Sequence, residues 1–323
     1  MKFLTVTTLL AGTIAFATPA LSADYTLSIN TALTVDDPLY KGLESFRDKL
    51  GERTGGAIEV KLFPNSQLGP DEDVLEQARA GAPVAVVVDG GRLAVFQNEF
   101  GVLGAPYLAS GYEGMRKIVT SPVFEEWVAK LKTASGHQVL SFNWWQGERQ
   151  LWTNKPVTGP ADLSGSRMRT PGAPVWVETI KAMGATPTPM PFAEVYSALQ
   201  QNVIDSVEAQ LPAGQGAKLF EVTKELTKTG HINLITGLVT SSIWFDSLPA
   251  ELQTALREEA LKAGDVASYG TQDALSKIEE GLKAAGMNVS EIDPAPFREA
   301  TAGVYETLGY ADLREQLQKI AAE

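Results

Sequence analysis

The stretch that organises this chain runs from Gly147 to Pro212 and reads GERQLWTNKPVTGPADLSGSRMRTPGAPVWVETIKAMGATPTPMPFAEVYSALQQNVIDSVEAQLP. Arg149 lies near its start and Arg169 lies in the run Ser166-Arg167-Met168-Arg169. Asn154-Lys155-Pro156 ends one element, and Leu163-Ser164-Gly165 leads into the next. Residues 166–169 read as a short strand and 174–183 as a helix. A brief strand at 186–190 is broken by prolines; a helix at 192–201 and a strand at 203–207 follow. Strand alternating with helix implies a mostly parallel sheet wrapped by helices. Two arginines on rigid strand ends could grip the carboxylate of a small organic acid. The planar guanidinium donates two parallel hydrogen bonds to one carboxylate and keeps its charge. The competing reading makes both arginines ordinary solvated surface residues.

Upstream of that stretch the same alternation holds. Residues 25–30 alternate apolar and polar, and residues 39–54 carry Leu39, Leu43, Phe46 and Leu50 on one helical face. Residues 58–63 form a second alternating strand. The acidic run Asp71-Glu72-Asp73 opens a short helix and is expected to be solvated there. Val84 to Val88 is a continuous apolar run, as in a strand covered on both faces. It ends in Asp89-Gly90-Gly91-Arg92, and ligands of open α/β sheets bind beyond such carboxyl ends. The alternative is a plain turn. Residues 111–135 read as helical and 137–142 as a strand ending at Asn143-Trp144-Trp145. Downstream, 231–240 is strand-like and Trp244 to Pro249 opens a long helix over 250–285. Residues 294–322 are helical.

The chain has 323 residues, 44% hydrophobic and 20% charged, enough for two domains with separate cores. Its start, Lys2 followed by an apolar run and Pro19-Ala20-Leu21-Ser22-Ala23, reads as a secretory signal peptide over 1–23. The alternative is an uncleaved anchor. There is no cysteine, so no disulfide and no lipid anchor through one. The formal net charge of −12 argues against nucleic acid and against anionic lipid. An acidic protein that takes an anion must build its positive field locally.

Chemistry beyond binding finds little support. His137 and His231 are the only histidines, each in an apolar strand pattern. There is no phosphate loop, no nucleophile elbow and no zinc-binding His pair. The acidic runs do not have calcium-loop spacing. No catalytic residue, metal or cofactor is therefore expected. An exported lyase would need Asp89, Glu148 or Glu208 as its base. Trp144, Trp145, Trp152, Trp176 and Trp244 could each fill core or line a cleft; Trp145 and Trp244 are preferred for the cleft, with Tyr40 behind them. Arg167 and Arg169 share one face of an ideal strand, so periodicity does not separate them.

Five stretches taken together carry a resemblance: FPNSQLG, Gly147-x-Arg149, RMRTPGAPV, GATPTPMPFAEVYSALQQNVIDSVEA and WFDSLPAELQ. They resemble the DctP family of extracytoplasmic solute-binding subunits of TRAP transporters, in order over 24–323. The resemblance implies an α/β, two-domain periplasmic-binding-protein fold with hinge strands and one long domain-spanning helix. The first domain would comprise 24–146 plus 233–270, the second 147–232 plus 271–323. Arg169 would make the paired salt bridge to the solute and Arg149 would assist. Asn30, Asp89, Arg92, Trp145 and Phe192 match ligand-contacting positions. Sialic-acid-binding members often carry Asn after the Glu that matches Glu208; here Ala209 and Gln210 stand there, which leaves Gln210 to supply a polar contact. The implied partners are a small organic acid and the membrane subunits of a TRAP transporter, with the protein monomeric and periplasmic. A ligand-sensing partner of a membrane receptor would share these features.

Overall fold

The computed structural model describes residues 23–323, so the expected leader lies almost wholly outside it. The chain opens with β1 (Tyr25–Asn30), α1 (Pro38–Thr54), β2 (Ile58–Phe63), α2 (Asp71–Arg79) and β3 (Val84–Asp89). Local chemistry sets the bounds of α1. The Asp37 carboxylate accepts from the Leu39 amide, Pro38 fills the first turn, and Gly55 closes the helix in the left-handed region. β3 is buried along its whole length, as its apolar run requires. Asp89-Gly90-Gly91 is not a turn. Asp89 caps α3 (Gly90–Leu93), its side chain accepting from the Arg92 amide.

α4 (Gly111–Val119) and α5 (Pro122–Ser135) follow. One helix was expected over 111–135; Ser121-Pro122 splits it, because proline removes an interior amide and Ser121 caps what comes after. β4 (His137–Thr153) runs 17 residues, past the expected end at Trp145. It carries register irregularities at four places, one of them between Trp145 and Gly147. Such bulges let one strand bend between two bodies.

Next come β5 (Arg167–Thr170), α6 (Pro174–Ala182), β6 (Thr186–Pro189), α7 (Val195–Gln200), β7 (Ser206–Gln210) and α8 (Leu211–Gly216). β7 begins three residues later than expected, since residues 201–205 turn before pairing starts. β8 (Glu225–Ser241) is the second 17-residue strand. α9 (Ser242–Asp246) holds Trp244 and precedes the separate α10 (Ala250–Ala284). β9 (Asn288–Glu291), α11 (Ala295–Thr301), α12 (Val304–Thr307) and α13 (Ala311–Ala322) end the chain, three helices where one was expected.

The strand order is β2-β1-β3-β8-β4-β7-β5-β6, with β9 on β8. β1, β2 and β3 pair in parallel, and so do β5, β6 and β7. β4 and β8 run antiparallel to each other and to their other main neighbours, so the sheet is mixed rather than mostly parallel. The fold is thus two α/β lobes joined by two long strands. At 35 residues, α10 is about 50 Å long and spans both. Its Leu252, Leu256 and Ala263 share a core with Leu43 and Phe46 of α1, whereas Ile278 and Leu282 pack with Trp152 and Val207. The C-terminal tail also touches both lobes. Phe297 of α11 joins Met168 and Ile180, and Leu317 of α13 joins Met115 and Ile118.

Candidate functional site

The end of β3 and the α3 turn after it deliver Asp89 and Arg92 to the edge of the first lobe, and α2 presents Asp71 beside them. β4, β5 and β7 of the facing wall deliver Arg149, Arg169 and Gln210. These residues line a cavity of about 60 Å³ between the walls, with Phe192 on the same boundary. The space is small enough for one molecule to touch both walls.

Arg169 is 1% exposed and buried beneath the cavity. Its Nε and Nη2 both donate to the Met190 carbonyl, at 3.0 and 2.9 Å. Its guanidinium lies 5.3 Å over the Phe192 ring. Among the described residues no carboxylate lies within ion-pair distance of it. Burial first, and the positive Arg92 second, push its pKa down to about 9, so it stays charged at neutral pH. Arg167, two residues earlier, is exposed and paired with Asp205 at 2.8 Å. Tertiary structure therefore separates the two arginines that the strand period left equal.

Arg149 is also buried, but it is paired. Its Nε and Nη2 donate to the Glu208 carboxylate, the latter at 2.7 Å, and Nη2 also donates to the Glu208 carbonyl at 2.6 Å. Burial and the nearby Arg169 charge act to lower its pKa, and the bidentate carboxylate holds it protonated. Thr170 Oγ1 donates to Glu208 Oε1 at 3.2 Å. His231 Nδ1 meets Thr229 Oγ1 at 2.7 Å, while its Nε2 makes no hydrogen bond and lies 3.7 Å from Glu208. Burial and Arg149 push the His231 pKa down to about 3, so the ring is neutral. His137, by contrast, has both ring nitrogens partnered, by Ser135 and the Leu75 carbonyl.

On the first lobe Arg92 is held by three acids. It pairs with Asp89, donates to Glu72 at 2.7 Å and lies 3.7 Å from Asp71. Burial opposes its charge, but Asp89, Asp71 and Glu72 outweigh that and raise its pKa. Burial alone would raise Asp89; Arg92 and the helix-cap amide reverse the sign and lower it. Asp71 is the exception. Burial raises its carboxyl to about 6 despite Arg92, and its Oδ1 makes no hydrogen bond. The expected solvated helix start is thus a buried acid at the cavity wall, because Arg92 folds over it.

Asp89, Arg92, Arg149, Arg169, Phe192 and Gln210 come together at the cavity. Asn30, Trp145 and Trp244 do not reach it. Asn30 is spent on the loop after β2, accepting from the Leu68 amide and donating to the Gly69 carbonyl. Trp145 points to the other face of β4, where its indole donates to Asn233; its neighbour Gln146 lines the cavity and receives the Gln210 amide at 3.3 Å. Trp244 and Tyr40 pack in the core between α1 and α10. Sequence reasoning missed Asp71, Thr31 and Gln146 on the wall. For Thr31 and Gln146 the signal lay one residue from the expected position, within the error of any strand register. Glu208 and Asp89, two of the bases a lyase would need, are consumed in ion pairs, and Glu148 is exposed and off the wall.

A family model of bacterial extracellular solute-binding proteins, family 7 (DctP), matches residues 29–312. The 2,3-diketo-L-gulonate-binding periplasmic protein YiaO of Escherichia coli is 32% identical over 302 residues, covering 93% of this chain and 91% of the relative. Among solved structures, a TRAP periplasmic solute-binding protein of Escherichia fergusonii in an apo open form is 47% identical. It covers 92% of this chain and 99% of its own, with a TM-score of 0.80. A counterpart from Actinobacillus succinogenes with bound L-galactonate is only 30% identical, with the same coverage, yet superposes better, with a TM-score of 0.89.

Proposed function

The chain belongs to bacterial extracellular solute-binding protein family 7, whose members bind solutes for transport and do not turn them over, and on that premise we propose what it binds and where. It captures a small hydroxylated organic acid of the sugar-acid kind in the periplasm and delivers it to the membrane subunits of a TRAP transporter. Relatives with that location and that kind of solute support this reading.

The observation that carries it is the uncompensated charge of Arg169. A buried guanidinium with no carboxylate partner is costly on its own and becomes favourable when a solute carboxylate arrives. Its remaining donors offer that carboxylate the main salt bridge. Arg149 has its own carboxylate in Glu208, so it lends positive potential and a donor rather than the primary bond. Across the cavity Asp71 and Asp89 face the other end of the solute, and Gln210 stands on the arginine wall beside Arg149. Such groups accept hydrogen bonds from hydroxyls, and the three acids of the first-lobe wall, which outnumber their one guanidinium, would repel a second carboxylate. That favours a polyhydroxy monoacid over a dicarboxylate.

A calorimetric screen of aldonates, uronates and C4-dicarboxylates tests this. At least one sugar acid should bind, and Arg169→Ala should abolish its binding. An Arg169→Ala protein that binds the same acid as tightly as wild type sinks the assignment.

A further inference from the structure

We propose that Trp176 is a positioning residue for this site, joining Asp89 of one lobe to Arg149 of the other and so setting both charged walls relative to each other. The proposal rests on reading the cavity as the solute site. Trp176 stands on α6, seven residues after Arg169, and is fully buried. It does not line the cavity, so it acts through its neighbours. Its indole Nε1 donates to Asp89 Oδ1 at 3.2 Å. Its ring lies 4.7 Å from the Arg149 guanidinium carbon, a cation–π distance. One side chain thus touches the acid that holds Arg92 and the cation that faces the solute.

The first lobe is shaped to admit it. A Cβ on Gly91 would overlap the indole Nε1 and come within 2.9 Å of both Trp176 Cδ1 and Asp89 Oδ1. A Cβ on Gly104 would sit 3.2 Å from Val175 and 3.4 Å from the indole. Neither glycine has a left-handed φ, so ring approach and not backbone conformation accounts for both. Packing alone could be met by any large apolar side chain. The indole N–H on an ion-paired carboxylate is what a filler would lack. Asp89 then has three donors: the Arg92 amide, the Arg92 guanidinium and Trp176.

Trp176→Phe keeps a ring and removes the N–H. Asp89 is left with two donors and protonates at a higher pH than in wild type, which loosens its hold on Arg92. The charged groups around Asp89 are Arg92, Asp71, Glu72, Arg149 and Arg169. All are present in both proteins, so their titration, that of Asp71 included, cancels to first order in a comparison of variant with wild type.

The test is calorimetry of the full chain with whichever organic acid wild type binds, from about pH 7.5 down to about 3.5, into the range where Asp89 titrates. Trp176→Phe should bind about tenfold more weakly at pH 7.5, the worth of a hydrogen bond to a charged group, with the gap widening below about pH 5 as Asp89 protonates first in the variant. Gly91→Ala, which displaces the ring and presses on Asp89 Oδ1 while removing no polar group, should also weaken binding with the circular dichroism of wild type retained. A lowered melting temperature with unchanged affinity, or an affinity gap that is the same at every pH, means that Trp176 only packs and overturns the proposal. A wild type that binds no organic acid overturns the solute-site reading itself, and this inference with it.

Discussion

The two walls of the cleft are built on opposite electrostatic plans. The first-lobe wall sets Asp71, Asp89 and Glu72 around one guanidinium, Arg92, whose charge is fully answered. The facing wall sets two guanidinium groups against one buried carboxylate, Glu208, and that carboxylate is taken by Arg149. One wall has an acid to spare and the other has a cation to spare. A solute with a carboxylate at one end and hydroxyl groups at the other matches both. The comparison teaches that the number of charges says little; what decides is which charge the protein leaves without a partner.

The contrast can be broken most directly at Arg169. Replacing it with Ala should weaken solute binding at least a hundredfold, about 3 kcal/mol, because a desolvated ion pair loses one member. The ligand-free protein should be no less stable, since an unpartnered buried cation is removed. Arg169→Lys should fall between, as the fork geometry is lost but the charge stays. Calorimetry and chemical denaturation on the same samples check both halves.

Arg149→Ala should behave in the opposite way. Glu208 is fully buried, and stripping its partner should cost about 3 kcal/mol of stability in urea denaturation. Adding Glu208→Gln should recover much of that loss. Equal destabilisation by the two arginine-to-alanine changes would erase the distinction between paired and unpaired cations.

Asp71 sharpens the comparison through pH. Its folded pKa, about 6, lies above that of an unfolded aspartate, about 3.9. The folded state therefore binds the extra proton, and this group's contribution to stability falls as pH rises from about 4 to 6. Relative to Asp71→Asn, the wild-type melting temperature should rise by about 2 °C on acidification across that window. Asp37, raised to about 7 by burial, carries the same sign over a wider window and needs its own Asn control. The smallest effect is expected at Gly147, where β4 is bulged. Its φ is 100° and the nearest side-chain atom to a new Cβ is 3.8 Å away. Gly147→Ala should cost about 1 kcal/mol from backbone strain alone.

Much of the fold was legible. The sequence reading located α10 to within a residue of its end, and the unbroken run Val84 to Val88 announced a strand with both faces covered. β4 was harder. Its 17 residues include bulges, and a bulge shifts every later side chain to the other face. The resemblance put Trp145 on the cleft, whereas Gln146 is the residue found there. Asp71 was unreadable for another reason. An acidic residue at a helix start looks the same whether water or a distant arginine covers it, and Arg92 lies 20 residues beyond Glu72.

The amino-acid order by itself determined the alternation of strand and helix, the bridging helix, the membership of a solute-binding family and the presence of arginine at 149 and 169. Periodicity and composition are local properties and survive without a fold. Only the tertiary structure decided that Arg167 meets solvent and Asp205, that Arg149 meets Glu208 from 59 residues away, and that Arg169 meets no acid among the described residues. Charge pairing depends on distances across strands that are far apart in the chain, so the unanswered positive charge at Arg169 belongs to the folded molecule.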